Sequence, residues 1–215
     1  MIGAELRRFD FNQKYNCADM ETEGLNLYFS RPWQITWSIF TVKKNIESNT
    51  RYIWWPDIKV SKKAAAITGF DFQFYKENAQ DPKKVLDEFE NTLNDKNIDI
   101  VSHNWLGYDS MILNVWRRAL GLKPRHDYYS RVFDTLALSK AFKEGIEPDT
   151  SNPEAFLAFQ YRMLSYRRAK MPKTSLGSMA KDLGISTEGR SLHDSSVDTD
   201  INIEVFKGLI KQMAI

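Results

Sequence analysis

The 215-residue chain has a single cysteine, Cys17, which excludes an internal disulfide and a cysteine-rich zinc site. No apolar run approaches the roughly 20 residues that a membrane-spanning helix needs. The first residues, MIGAELRRFD, lack the apolar core of a signal peptide. Internal repeats and low-complexity segments are also absent. These absences predict a cytoplasmic protein of a reducing compartment with no membrane partner, in which Cys17 is a small buried residue.

The chain also has little net charge, because 30 basic and 28 acidic residues leave a formal charge of +2. That sum alone indicates neither an acidic nor a basic partner. Its 42% hydrophobic and 13% aromatic content can supply a substantial core. We predict a single domain over residues 1–215, with 1–13 as a polar lead-in and 145–173 as a basic helical elaboration.

Hydrophobic periodicity predicts a mixed α/β sheet of about five strands with helices on both faces. Strand patterns lie within residues 15–26, 33–42, 51–55, 98–102 and 131–133, and residues 44–50 have the composition of a turn. Helix patterns cover residues 62–68 and begin after Asp81, Asn104, Asp134, either Ser151 or Asn152, either Thr174 or Ser175, and from about Ser196. The first three strands precede the alternating part, which is typical of an antiparallel meander joined to parallel strands.

Asp19 and Glu21 lie in the first strand-like segment, YNCADMETEGLN. Side chains two residues apart in a strand share a face, so these carboxylates would lie about 6.6 Å apart along the backbone. Two carboxylates in a folded core repel each other unless a cation lies between them, and a hard divalent cation with oxygen ligands is the usual one. An edge strand that ends in water would leave the same pair in solvent, so the pair alone does not establish a metal site.

Two later segments carry further candidate residues. Asp109 shares the apolar face of its helix, where an unpaired charge is costly, so it is predicted to point inward toward a cation. His193 precedes Asp198 by five residues, a spacing that does not share one helical face. We therefore place His193 in a loop and Asp198 in the first turns of the last helix, capped by Ser195 or Ser196. A solvent-exposed histidine and a charge that satisfies the helix dipole would explain the same residues without a site.

Together these segments resemble the DEDDh 3′-5′ exonuclease family, which contains polymerase proofreading subunits, ribonuclease T and oligoribonuclease. ADMETEGLN (18–26) resembles the first family motif, in which D-x-E precedes a turn with glycine. HNWLGYDSMIL (103–113) resembles the second motif, and LHDSSVD (192–198) resembles the third. FDTLALSK (133–140) and SLGSMAKDLGI (175–185) resemble the family's helices between motifs two and three.

The resemblance covers the chain from about Lys14 to Gln212, with three departures. Glu23 stands where the family often has Thr, and Ser195 stands where Ala is common. The segment 145–173 is longer and more basic than in compact members. These departures bear on the choice of substrate and leave the four acids and the histidine in place.

The resemblance implies a ribonuclease H-like fold and a two-metal-ion phosphodiester hydrolase. Asp19, Glu21, Asp109 and Asp198 would hold two Mg²⁺ or Mn²⁺ ions about 3.5 to 4 Å apart, one assisting the attacking water and the other the leaving 3′-oxygen. His193 would take the proton of the water, a role suited to a group that titrates near neutrality. The products would be nucleoside 5′-monophosphates.

Substrate contacts are predicted at three places, of which the resemblance implies the first two. Leu25, just after D-x-E, is the candidate wedge against the terminal base, with Met20 and Gly24 beside it. Asn104 would position backbone near the second motif. In the basic segment, Arg167, Arg168 and Lys170 could line the approach to the site and grip a nucleic-acid strand, whereas a solvated helix face would account for the same charges without a ligand.

The favoured substrate is a single-stranded DNA with a free 3′ end. Because no polymerase sequence follows Ile215, proofreading would act in trans on a separate DNA polymerase. A 3′-5′ exoribonuclease that trims short RNA would differ only in recognition of the 2′-hydroxyl, and the residues do not decide between the two. The presence of all five chemical residues weighs against a non-catalytic nucleic-acid-binding relative and against a structural domain with incidental acids.

Overall fold

The computed structural model describes residues 12–190 and 194–213, which fold around a six-stranded sheet. The strands are β1 (Lys14–Thr22), β2 (Pro32–Phe40), β3 (Asn45–Ile53), β4 (Ala79–Gln80), β5 (Ile98–Ser102) and β6 (Val132–Asp134). Their order across the sheet is β4-β3-β2-β1-β5-β6. The predicted mixed α/β sheet is confirmed, with six strands instead of about five, because the two-residue β4 is too short to leave a sequence pattern.

Eight α-helices accompany the sheet in this part of the chain. They are α1 (Lys62–Thr68), α2 (Phe72–Asn78), α3 (Pro82–Asn94), α4 (Ser110–Ala119), α5 (Thr135–Glu144), α6 (Pro153–Ser165), α7 (Leu176–Asp182) and α8 (Ser195–Met213). A π-helical turn, Trp105–Asp109, leads into α4, and a 3-10 turn, Tyr129–Arg131, leads into β6. Within the described ranges, no helix combines the length and the apolarity that a membrane crossing requires.

The middle of the sheet is its most buried part. β2 lies antiparallel between β1 and β3, and all nine of its residues are buried. β1 runs parallel to β5, and β5 runs parallel to β6. One face of β2 is apolar, with Trp37 and Ile39 in the main core, whereas the other presents Gln34, Thr36 and Ser38. Buried polar side chains need hydrogen-bond partners, so this face of β2 indicates a polar region in the interior of the protein.

Successive side chains of β1 point to opposite faces of the sheet, so they pack into two different parts of the core. Ala18 and Met20 pack with α3 and α4 on one face. Cys17 packs with α8 on the other face and is fully buried, as predicted. Asp19 and Glu21 continue the alternation of Cys17, so the D-x-E pair faces α8.

The helix predicted to follow Asp81 is confirmed as α3. The Asp81 side chain accepts a hydrogen bond of 2.8 Å from the N–H of Lys84, and Pro82 occupies the first turn. The predicted apolar stripe is buried, and it comprises Val85, Leu86, Phe89 and Leu93. Local capping and periodicity agree here, which is why the boundary and the buried face could both be predicted.

The turn predicted at residues 44–50 is wrong, because this segment forms most of β3. The reversal occurs earlier, where the N–H of Thr41 donates a 2.8 Å bond to the carbonyl of Lys44. β3 pairs with β2 from Asn45 to Tyr52. Its first four residues are exposed, so the strand carries polar side chains there and its composition resembles that of a turn.

The sequence pattern does not predict α2. The helix buries only Tyr75 and exposes Phe72 and Phe74, so no apolar stripe marks it. Its signal is instead the cap at Asp71, whose side chain accepts a 2.7 Å bond from the N–H of Phe74.

Candidate active site

The two acids of β1 lie opposite polar residues of β2. Asp19 pairs in register with Thr36, and Glu21 pairs with Gln34. Both carboxylates are partly buried. The hydroxyl of Thr36 lies 2.7 Å from the Oγ of Ser195, the first residue of α8. The polar face of β2 thus fastens the start of α8 beside the D-x-E pair.

α8 carries Asp198 in its first turn, as predicted. The predicted cap is wrong: Asp194 caps the helix, because its Oδ1 accepts bonds of 2.9 and 2.6 Å from the N–H and the Oγ–H of Ser196. Ser195 is instead bonded to the sheet. The N–H of Asp198 donates a 2.8 Å bond to the carbonyl of Asp194. His193, the predicted general base, lies outside the described residues.

Asp109 closes the π-helical turn and is only 3% exposed, so its predicted inward direction is confirmed. The turn begins at Asn104, whose φ of 71° is left-handed. At Gly107, a Cβ would lie 2.4 Å from the side-chain oxygen of Asn104, so a larger residue there would have to displace the Asn104 side chain. The backbone of this turn, which the sequence predicts as an ordinary helix, sets the direction of the Asp109 carboxylate.

A fully buried acid, Asp134, fastens this turn to α5. It accepts 3.0 Å bonds from the N–H groups of Asn104 and Leu106 in the turn. As the predicted cap of α5, it also accepts from the N–H groups of Leu136 and Ala137. Burial raises the pKa of Asp134 to about 6, although these four backbone bonds oppose the rise. One carboxylate therefore holds the two segments in register.

We expect Asp134→Ala to lower the free energy of unfolding by about 3 kcal/mol, because several buried N–H groups lose their acceptor. Asp81→Ala is the matched control, since it removes a cap that accepts one exposed bond, and it should cost about 1 kcal/mol. Urea unfolding followed by circular dichroism measures both. Equal losses in the two variants would mean that Asp134 acts as an ordinary helix cap and does not join the turn to α5.

The four predicted acids come from separate segments and interact electrostatically. Burial and the carboxylate of Asp198 raise the pKa of Asp19 to about 7. Burial and the carboxylate of Asp19 raise the pKa of Glu21 to about 9. Burial and Asp19 also raise the pKa of Asp109 well above its ordinary value. Asp19 therefore repels each of the other three carboxylates.

The chemistry of these side chains fits a hard divalent cation. Carboxylate oxygens are the ligands that Mg²⁺ and Mn²⁺ prefer, and a cation among them would reverse the mutual repulsion. Within residues 12–190 and 194–213, no three His, Cys, Asp or Glu side chains stand close enough to form a ready-made metal site. The donor types therefore fit, and the side chains would have to converge further to coordinate an ion.

The loop after β1 begins at the site. The carbonyl of Gly24 accepts bonds of 2.7 Å from the hydroxyl of Thr22 and 2.9 Å from that of Tyr108, so the loop is fastened to the π-helical turn. Leu25, the predicted wedge, is 86% exposed. The side chain of Met20 is buried on the opposite face of the sheet, so only its main chain could meet a substrate.

A cavity of about 130 Å³, which the sequence does not predict, lies between the ends of β2 and β3 and the residues around α2. Its walls include Gln34, beside the D-x-E pair, and Asp194, the cap of α8. Trp33 and Tyr52 stack with ring centroids 6.2 Å apart, and Phe74 meets Tyr52 edge-on at 5.3 Å. Flat aromatic walls suit a planar ligand. These rings come from two strands and α2, so no local motif connects them.

The basic segment is helical only over Pro153–Ser165. Beyond it, the exposed Arg167 donates to two nearby backbone carbonyls, and Lys170 is also exposed. The Nε of Arg168 lies 3.0 Å from the Oε1 of Glu144. The charge of Arg168 is therefore engaged by an acid that is distant in sequence.

Solved structures of exonuclease I share this fold. The structure of exonuclease I that suggests how processivity is achieved has a TM-score of 0.71 and 20% identity, and the match covers 94% of this chain and 41% of that chain. A zinc-bound form of the E. coli exonuclease I–ssDNA complex has a TM-score of 0.70 and 20% identity over the same shares. E. coli exonuclease I in complex with a dA16 oligonucleotide has a TM-score of 0.71 and 19% identity, again over the same shares. The predicted fold class is confirmed.

The chain spans about two fifths of the length of the exonuclease I structures that it matches. No family model and no curated protein matches its sequence. Because one fold can carry many functions, the function has to be argued from the residues of the site.

Proposed function

We propose that this protein is a metal-dependent 3′-5′ exonuclease that releases nucleoside 5′-monophosphates from single-stranded DNA ends. The observation that carries the proposal is the placement of Asp19 and Glu21 on the face of β1 that meets α8, with Asp198 in the first turn of α8 and Asp109 buried at the end of the π-helical turn. Carboxylates that are buried or partly buried and repel one another cost free energy of folding, which a bound cation would offset. The fold shared with exonuclease I supports the same function.

The four carboxylates would hold two divalent cations, Mg²⁺ or Mn²⁺. When bound, such ions stabilise charge on the attacking and the leaving oxygens of a phosphodiester. The protein contributes by holding these carboxylate side chains in fixed directions. The Thr36–Ser195 hydrogen bond holds the start of α8, which carries Asp198. The hydrogen bond from the N–H of Asn104 to Asp134 holds the turn that ends at Asp109.

His193 would accept the proton of the attacking water. The other two histidines are less suited to that role. His103 is bonded to Thr135 through Nδ1 at 3.1 Å, and burial lowers its pKa to about 4, so it is a weak base. His126 packs edge-on against Tyr129, with ring centroids 5.0 Å apart. His193 immediately precedes Asp194, the cap that holds the first turn of α8.

The 3′-terminal nucleotide would enter between the acids and the aromatic cavity. Leu25 and Gly24 would border its base on one side, and Trp33 and Tyr52 would offer flat walls on the other. The left-handed backbone at Asn104 would support the turn that faces the scissile phosphate. A closed pocket of this kind admits the end of a strand and excludes its interior.

DNA is the proposed substrate, and RNA trimming is the alternative. Among the structures with this fold, those of E. coli exonuclease I hold single-stranded DNA, which favours DNA. Proofreading in trans for a DNA polymerase would use the same activity. Hydrolysis of a labelled single-stranded DNA and a matched RNA, each with Mg²⁺ and with a chelator, tests the proposal. Faster hydrolysis of the RNA would select RNA trimming, and no hydrolysis of either strand would refute both activities.

A 3′-phosphate on the DNA strand should slow digestion strongly, because a pocket that admits a free 3′-hydroxyl has no room for an added phosphate beside four carboxylates. Gel analysis of a 5′-labelled strand, with a 5′-phosphorylated strand as the control, measures the effect. The control strand should be digested normally. Release of fragments from a circular single strand would identify an endonuclease instead.

Changing Arg167, Arg168 and Lys170 together to Gln should raise the KM for a long single strand and flatten its salt dependence. Each lost phosphate contact reduces the salt slope by roughly 0.7. Because Glu144 already engages Arg168, we expect Arg167 and Lys170 to account for most of the change. Turnover of a dinucleotide should barely change, since so short a substrate does not reach the segment.

The matched control removes three exposed lysines near the opposite end of the sheet, Lys43, Lys44 and Lys96. This variant has the same net charge as the first but keeps the basic segment. Its salt slope should equal that of the wild type. Equal slopes in the two variants would mean that only the overall charge matters, and equal losses on both substrates would indicate a structural role for the segment.

A further inference from the structure

The loop between β1 and β2 exposes two aromatic rings that the proposed chemistry does not use. Tyr28 and Phe29 are 76% and 77% exposed. Their ring centroids lie 6.4 Å apart, and the ring planes are tilted by 49°. Large rings left side by side in water mark a surface that binds a partner. Leu25, in the same loop, is a third exposed apolar residue at 86%.

Hydrogen bonds hold the backbone that presents these rings. At the base of the loop, Glu23 accepts bonds from the Nε, the Nη2 and the backbone N–H of Arg31, at 2.9, 2.9 and 3.0 Å. At its tip, the side chain of Asn26 accepts a 2.9 Å bond from the N–H of Tyr28, and its carbonyl accepts one from Ser30. A platform that is already ordered loses little conformational entropy when it binds a ligand.

The loop lies along α4, the helix that follows Asp109. Arg118 of α4 donates a 3.3 Å hydrogen bond to the carbonyl of Tyr28. Arg118 follows Asp109 by nine residues, which corresponds to about 14 Å along a helix. At 3.4 Å per stacked nucleotide, this distance corresponds to about four nucleotides. The contact between Arg118 and the loop therefore lies about four stacked nucleotides from Asp109, measured along the helix.

We propose that Tyr28 and Phe29, with the guanidinium of Arg118, form a stacking platform for unpaired bases about four nucleotides from the 3′ end of the bound strand. Aromatic rings beside an exposed arginine are what proteins use to bind single strands without sequence preference. A duplex already stacks and pairs its bases, so the platform selects unpaired strands. The inference rests on the proposed exonuclease function and names the source of its single-strand specificity.

Binding without turnover tests the platform directly. In a chelator, fluorescence anisotropy gives the Kd of a labelled strand of about 12 nucleotides, and the double variant Tyr28→Ala/Phe29→Ala should raise that Kd about tenfold or more. The control, Ile46→Ala, changes another exposed apolar residue at the far end of β3 and should leave the Kd unchanged. With metal present, dinucleotide turnover by the double variant should stay within about twofold of wild type, because a dinucleotide ends before the rings.

A set of strands that each lack one base makes the test independent of how well the variants fold. The wild type should lose affinity when the missing base lies about three to five positions from the 3′ end, and the double variant should be indifferent to those positions. Uniform affinity of the wild type across the set would overturn the platform. So would a double variant that keeps the wild-type pattern.

Two further outcomes have distinct meanings. If the double variant dissociates a dimer in sedimentation while its Kd for the strand is unchanged, the rings bind a second copy of the chain and the platform is refuted. If the wild type binds strands with the expected position dependence but hydrolyses neither strand nor dinucleotide with any divalent ion, the platform stands and the proposed exonuclease activity fails. The two proposals can therefore be judged separately.

Discussion

Asp198→Asn should lower kcat/KM on single-stranded DNA by about 10³-fold or more, and Asp200→Asn should leave it unchanged. Metal-assisted displacement depends on several kcal/mol of charge stabilisation, so the loss of one ligand is costly. The two residues lie two positions apart on α8, and only Asp198 faces the acids of β1. Initial rates of digestion in Mg²⁺ measure the difference. Similar losses in both variants would indicate a general effect of charge on α8.

Asp19→Asn separates metal binding from activity. Calorimetry should show that the variant takes up less Mn²⁺ than wild type, while binding of the strand itself largely persists. In a chelator the variant should melt at a higher temperature, because one of several buried carboxylates that repel each other has become neutral. In Mn²⁺ the wild type should melt at the higher temperature, because it binds the ion with one more carboxylate than the variant does. Identical Mn²⁺ uptake by the variant and the wild type would remove Asp19 from the site.

His193→Ala should lower kcat by about 10² to 10⁴ with a modest change in KM, because a general base acts in the transition state and adds little to ground-state binding. His126→Ala, which changes a histidine outside the site, is the control and should keep the wild-type kcat. Mn²⁺ uptake should be the same in both variants, since neither residue is a proposed ligand.

The pH dependence of kcat gives a second readout for His193. In the wild type, kcat should rise with pH as the proposed base, an imidazole, loses its proton. The His193→Ala variant should lose this limb of the profile, whatever its residual rate. A variant with the wild-type profile would move the general base to another residue.

The parts of the fold that could be predicted from the sequence are those in which local signals, such as helix caps and apolar stripes, agree with the contacts made in the folded protein. α3 has its cap, its proline and its apolar stripe within one segment, and its bounds were predictable. The inward direction of Asp109 follows from its place on an apolar face, and its burial confirms it. The four acids could be nominated because each belongs to a short motif with its own spacing.

The other parts of the fold depend on contacts with residues that are distant in sequence, and no local pattern shows these contacts. β3 has polar side chains because its outer part is in water, so only its pairing with β2 reveals a strand. Asp194 caps α8 because the hydroxyl of Ser195 is already bonded to Thr36, 159 residues away. Arg168 is paired with an acid of α5. In each case the local sequence is compatible with more than one structure, and a tertiary contact determines which of them forms.

The π-helical turn restricts the length of the chain between Asn104 and Asp109. A π-helical turn holds one more residue than an α-helical turn, so the deletion of one residue would change the direction that the Asp109 carboxylate takes from this turn. Insertions in the connection between β2 and β3 carry no such penalty, since no carboxylate of the site takes its direction from that connection. A larger residue at position 107 would also have to displace the Asn104 side chain, whose oxygen lies 2.4 Å from the position of the added Cβ. Among distant relatives of this chain, an unchanged residue count across this turn is therefore a stricter sign of a working site than shared identity elsewhere.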